Sequence, residues 1–176
     1  MTPATYSLSF SGQILQRGFW LYVWEISTPW QDKRYYVGRT GDSSSCNAQS
    51  PFNRMGQHLG ANDKSNVLRR QLKKIGLDPE LCTYRLIAHG PIMKEAASFE
   101  EHKGPRDIVA AIEKALAAAL TEAGYYVINA VHSKGPVNEQ LFEAVRLAFA
   151  QELPRLLSDE IDCTPQEFSP GTPFQI

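Results

Sequence analysis

Phe19-Trp20-Leu21-Tyr22-Val23-Trp24-Glu25-Ile26, then Thr28-Pro29-Trp30-Gln31-Asp32-Lys33, then Arg34-Tyr35-Tyr36-Val37-Gly38 read as strand, turn and return strand of one β-hairpin. Aromatic and β-branched residues favour extended backbone, and the almost unbroken apolar first arm marks a buried strand. The proline and aspartate between the arms supply the turn. Tyr22 and Tyr36 fall on opposite arms, where their hydroxyls can converge. A tyrosine in a strand is ordinarily core with its hydroxyl satisfied at the edge, so these two acquire meaning only from other residues.

Upstream, Tyr6-Ser7-Leu8-Ser9-Phe10 alternates apolar and polar and predicts a short strand, with Gly12 and Gly18 bracketing a connector. Downstream, Gly41 to Gln49 is a polar loop. Ser50-Pro51 then opens a helix with serine as cap and proline at its first position, a stripe of Phe52, Met55 and Leu59, and Gly60 at its end. A second helix runs from about Ser65 to Ile75 and stops at Gly76. Cys82 to His89 predicts a third main strand. Residues 90–104 read as loop or as an ill-defined helix around Lys94 to Glu101. Pro105 to Ala123 is the clearest helix, ended by Gly124. Residues 125–130 are short and extended, and a last amphipathic helix covers about Val137 to Leu157. The fold class expected is α+β: a small antiparallel sheet of about three main strands flanked by helices. Residues 1–157 form one domain in this reading, and 158–176 a flexible, acidic, proline-containing tail.

The chain has 176 residues, 43% of them hydrophobic and 21% charged, enough for one core without staples. It contains no run of eighteen apolar residues and no basic-then-apolar leader, so neither a membrane span nor a signal peptide is expected. Cys46, Cys82 and Cys163 are odd in number and widely spaced, which suits a reducing cytoplasm better than a disulfide framework. Net charge is -1 but uneven: residues 1–90 hold eleven Lys/Arg against six Asp/Glu, and the remainder seven against thirteen. The basic front half, with Arg69, Arg70, Lys73 and Lys74 on one helix, suits a phosphate backbone or simply a solvated helix face.

Arg54 and His58 are spaced i, i+4, so they share one face of their helix. That face points away from the stripe of Phe52, Met55 and Leu59 and is available to a cleft. A guanidinium donates two parallel hydrogen bonds to phosphate, and an imidazole can donate or shuttle a proton near neutral pH. Glu113 borders the buried stripe of Val109, Ile112, Leu116 and Leu120, whereas Glu122 is solvated. A carboxylate so placed needs a metal ion or an arginine, for which Arg54 and Arg39 are the candidates. A phenol, cations for phosphate and one acid for Mg²⁺ or Mn²⁺ are the parts of a one-metal phosphodiesterase. His89, His102 and His132 read as surface residues, His132 being closest in sequence to Asn129.

In order and spacing the chain resembles the GIY-YIG nuclease superfamily over about residues 19–130. Leu21-Tyr22 stands at the second and third letters of the first motif, and Tyr36-Val37-Gly38 at the second motif. Arg54, His58, Glu113 and Asn129 fall at the signature positions that follow. Trp20 replaces the first glycine, the gap between the tyrosines is slightly long, and residues 42–50 look inserted.

The resemblance implies a metal-dependent DNA endonuclease. Tyr22 would be the general base, and Tyr36 would orient water or phosphate. Arg54 would hold the scissile phosphate, with His58 as a second phosphate contact or proton shuttle. Glu113 would bind one divalent ion near the leaving 3′ oxygen. Arg39 would polarise the base, and Asn129 would shape the site or support the backbone around it, although an asparagine there also suits a turn or cap. Arg39, Arg54, Arg69, Arg70 and Lys73 would contact DNA. A phenol of pKa near 10 needs help to act as a base at neutral pH. With little room for a separate DNA-binding module, specificity would come from the loop at 42–50, the basic helix at 66–75 or a DNA-targeting partner, and a homodimer would serve double-strand cleavage. The alternative is a catalytically silent nucleic-acid-binding or assembly module of the same fold.

Overall fold

The structure is a computed structural model that describes residues 3–42, 46–60 and 66–157. Strands β1 (Phe19–Ser27), β2 (Lys33–Arg39) and β3 (Thr83–Met93) form an antiparallel sheet in the order β2-β1-β3. Helices α1 (Pro51–Leu59), α2 (Val67–Lys74), α3 (Phe99–Glu122) and α4 (Glu139–Ala150) cover it. The α+β class and the three-stranded sheet agree with the sequence reading. No helix among the described residues is long and apolar enough to cross a membrane. Cys46 and Cys82 are free thiols, and Cys163 lies outside the described residues.

Side chains alternate across a strand, and here both faces are buried. Phe19, Leu21, Val23, Tyr35 and Val37 point into one core with Ile112, Leu116, Leu120 and Phe149 of α3 and α4. Tyr22, Trp24, Ile26 and Tyr36 point into a second core with Leu68 and Leu72 of α2. The central strand is therefore apolar on successive residues because helices close it from both sides. The outer edge of β2 is closed as well. Tyr35 N–H donates to Tyr126 O and Ile128 N–H to Tyr35 O, both at 2.8 Å, forming a parallel bridge from Tyr35 to Val127.

Five expectations need correction. Residues 90–93, read as loop, are strand, because β3 runs on to Met93, which pairs with Phe19. Residues 6–10 form no strand: Tyr6 is 90% exposed and has no neighbouring ladder, and alternation without a partner does not hold extended backbone. Helix α3 starts at Phe99 rather than Pro105. Ser98 Oγ accepts from Glu101 N–H at 3.3 Å, and the Glu101 carboxylate accepts from Ala97 N–H, so this cap sets the start and Pro105 is carried inside the helix. Helix α4 ends at Ala150, the carbonyl that Pro154 four residues later cannot pair with, and Pro154–Leu157 continue as a 3-10 turn. On α1, Phe52 faces outward against Phe10, with ring centroids 5.0 Å apart, while His58 is a buried residue of that helix. Ser65 and the tail 158–176 lie outside the described residues.

Candidate active site

Tyr22 and Gly38 are direct partners in the β1–β2 register and so belong to the same face of the sheet. Gly38 has no side chain, and the Tyr22 ring lies across it. A Cβ at position 38 would fall 2.6 Å from the Tyr22 hydroxyl oxygen and nearer still to the ring. Arg39, one residue further, projects to the opposite face, where α3 passes. The bare backbone at Gly38 thus lets a phenol from the α1 side and an acid from the α3 side share one space.

His58 is seated between the two tyrosines, its ring edge-on to Tyr22 and Tyr36 with centroids 5.5 and 5.1 Å away. Its Nε2 is 2.6 Å from the Tyr22 hydroxyl, and its buried Nδ1 has no hydrogen-bond partner. A stranded acceptor is cheaper than a stranded N–H, so the network assigns the ring proton to Nε2. The Tyr22 oxygen then accepts from His58 and, at 3.4 Å, from Arg54 Nε, and its own proton goes to the Arg39 carbonyl at 3.3 Å. Burial pushes the Tyr22 phenol well above its ordinary range, although Arg54 opposes this. Burial, followed by the charge of Glu113, pushes Tyr36 up to about 12. Burial and then Arg54 hold His58 down at about 4, so the ring is neutral at neutral pH.

Two ion pairs complete the site. Arg39 Nε donates to Glu113 Oε2 at 2.8 Å, both side chains mostly buried. Arg54 Nη2 donates to Asp42 Oδ2 and Nη1 to Gln57 Oε1, each at 2.8 Å. Burial pushes Glu113 up to about 7 even though Arg39 pulls the other way. Tyr22, Tyr36, Gly38, Arg39, Asp42, Arg54, His58 and Glu113 together line an open cavity of about 140 Å³.

Of the residues singled out in the sequence, Asn129 is not part of the cavity lining. Its Oδ1 accepts from Val37 N–H at 3.0 Å and its Nδ2 donates to Val37 O at 2.8 Å, continuing the seam along β2. Asn129 therefore supports the backbone beside the cavity and does not enter it. Arg70 and Lys73 are exposed on α2, and the charge of Arg70 acts on Tyr36. Arg69 is turned to Glu80 at 2.9 Å. His102 is wholly buried, not on the surface, with Nε2 donating to Gly41 O at 3.0 Å. Asp42 was missed because a polar loop aspartate carries no periodic signal; its nearness to the Tyr-Val-Gly-Arg run was the one clue.

Among the described residues no three His, Cys, Asp or Glu side chains form a metal cage. A hard divalent ion often takes one or two carboxylates and fills its remaining positions with water and phosphate oxygens. Glu113, buried at the cavity wall beside Arg39, fits that limited role, with Asp42 lining the same space. Carboxylate oxygens of this kind suit a hard ion such as magnesium or manganese.

No family model matches the chain, and no curated protein or solved structure matches it.

Proposed function

We propose that the chain is a GIY-YIG-type endonuclease that hydrolyses nucleic-acid phosphodiesters, DNA foremost, with the help of one divalent ion. The observation that carries this reading is the convergence of Tyr22, Tyr36, Arg39, Arg54, His58 and Glu113 on one small open cavity from three separate stretches of chain. Two guanidinium groups and a phenol cannot reach one hollow by hydrophobic packing alone, since burying charge and hydroxyl is costly without a task or a partner.

In this mechanism Arg54 holds the scissile phosphate and stabilises the charge that develops on its oxygens. Tyr22, once ionised, takes a proton from the attacking water as the P–O3′ bond breaks. His58 and Arg54 both donate to the Tyr22 oxygen, which favours phenolate over phenol. Burial works against them, so the unliganded site is not poised as a base. A divalent ion at Glu113 would supply positive charge that eases both phenolate formation and departure of the 3′ oxygen. Tyr36 borders the cavity as a neutral hydroxyl able to orient water. Arg70 and Lys73 offer an adjoining basic face, and a homodimer or a targeting partner would supply sequence specificity.

One observation favours a second reading, a silent nucleic-acid-binding module: Glu113 already has a cation in Arg39. A supercoiled-plasmid nicking assay with and without Mg²⁺, run beside Glu113→Ala, separates the two. Nicking by the parent with Mg²⁺, lost in the variant, supports the enzyme. Plasmid left intact under every condition, with binding retained, selects the module.

A further inference from the structure

Both cations of the cavity are held by carboxylates, but the two pairs differ. Glu113 is carried on α3 and paired with Arg39, largely enclosed. Asp42 stands just after β2 with 39% of its side chain exposed, more than twice the exposure of Glu113. Arg54 is engaged at all three nitrogens: Nε to Tyr22, Nη1 to Gln57 and Nη2 to Asp42. Phosphate is best bound by two parallel N–H groups of one fork, and here Asp42 occupies part of the fork of Arg54.

The position of Asp42 is built into the fold. Gly41, immediately before it, has φ +76° and packs against the Phe19 ring. The buried His102 holds the Gly41 carbonyl, and the Thr40 hydroxyl donates to Gly18 O at 2.5 Å. The stem that carries the aspartate is thus fixed from below, while the Asp42–Arg54 contact itself faces water. A half-exposed ion pair is weak and screened, so a phosphodiester anion can exchange with it.

We propose that Asp42 is an internal stand-in for the substrate phosphate: its carboxylate occupies Arg54 in the unliganded chain, and a nucleic-acid phosphate binds by displacing it. This rests on the reading of the cavity as a phosphodiester site and adds the residue that sets its affinity. Displacement leaves the Asp42 charge beside the cavity, so the same residue limits how long a product phosphate stays.

The test is binding of a short fluorescein-labelled DNA duplex to the full chain in EDTA, followed by anisotropy at low and moderate salt. Asp42→Asn and Asp42→Ser should each bind about tenfold tighter than the parent at low salt, with a smaller gain at moderate salt. Asp107→Asn removes the same charge from an exposed pair with Arg106 on α3 and should change affinity less than about twofold. In the Arg54→Gln background the gain from Asp42→Asn should vanish. Unchanged or weaker binding by both Asp42 variants, while the parent binds, overturns the stand-in and leaves the phosphodiester reading intact. A gain that persists without Arg54, or is matched by Asp107→Asn, overturns it too. No binding by the parent or any variant sinks both.

Discussion

The Tyr22 ring occupies the space a Cβ would take at Gly38, its register partner, and owes its place to the missing side chain there. Gly38→Ala should therefore displace the ring and cost about 1–3 kcal/mol of stability, the range for overpacking a filled site. Urea unfolding monitored by tyrosine and tryptophan fluorescence measures the cost, and a loss below a few tenths would show that the ring moves aside freely.

Tyr22→Phe removes one oxygen from the cavity and little else. Cleavage should fall at least about a hundredfold, the low end for losing a positioned proton acceptor. DNA affinity in EDTA should stay near that of the parent, because Arg54 remains. Turnover at the parental rate would remove Tyr22 from the base role.

Glu113 gives a pH signature. Its ordinary value is 4.5 and burial pushes it to about 7 in the folded chain, so folding retains a proton that the unfolded chain releases. The stability this contributes is full below the unfolded value and is lost as pH rises through about 7. Glu113→Gln should consequently gain on the parent between pH 5 and pH 8 in parallel urea titrations. Divalent ions compete with the proton for the carboxylate, so added Mg²⁺ should stabilise the parent most at the alkaline end and the variant hardly at all.

His58 works in the opposite sense. Burial and Arg54 hold it near 4 against an ordinary 6.5, so its neutral form contributes stability above that ordinary value, and the contribution is lost as pH falls through about 4. Acid unfolding of the parent should be steeper over this range than that of His58→Gln.

Asn129→Ala should behave as a structural lesion. It strips partners from both backbone groups of the buried Val37, at about 1–3 kcal/mol for each group left unpaired. Cleavage per folded molecule should persist, and a thermal melt read beside the nicking rate separates the two effects.

The hairpin was legible because aromatic and branched residues run unbroken to a proline turn, and the helix caps at Ser50 and Gly124 announced themselves by residue type. The cavity was legible in its members: Tyr22, Tyr36, Arg39, Arg54, His58 and Glu113 all line it. Their pairing was not. The choice of Arg39 over Arg54 as partner of Glu113 follows from strand parity beyond Gly38, which needs the register. Asp42 belongs to a loop whose path no periodicity encodes. The failed strand at residues 6–10 has the same origin, since pattern specifies a face and only a neighbour supplies the ladder. Asn129 could be read two ways because an asparagine that clamps a backbone and one that shapes a cavity look identical in sequence.

The seam from Tyr126 to Asn129 also has a mechanical consequence. The chain leaves α3 at Glu122, turns at Gly124 and is at once stitched to β2, so the acid-bearing helix is tied to the hairpin by backbone bonds. Helix α1, which brings Arg54 and His58, leans mainly on α2 and the Gly12–Leu15 turn, and among the described residues no backbone bond laces it into the sheet. If the cavity takes a phosphodiester as proposed, the α1 side that carries Arg54 is the side less firmly tied to the sheet.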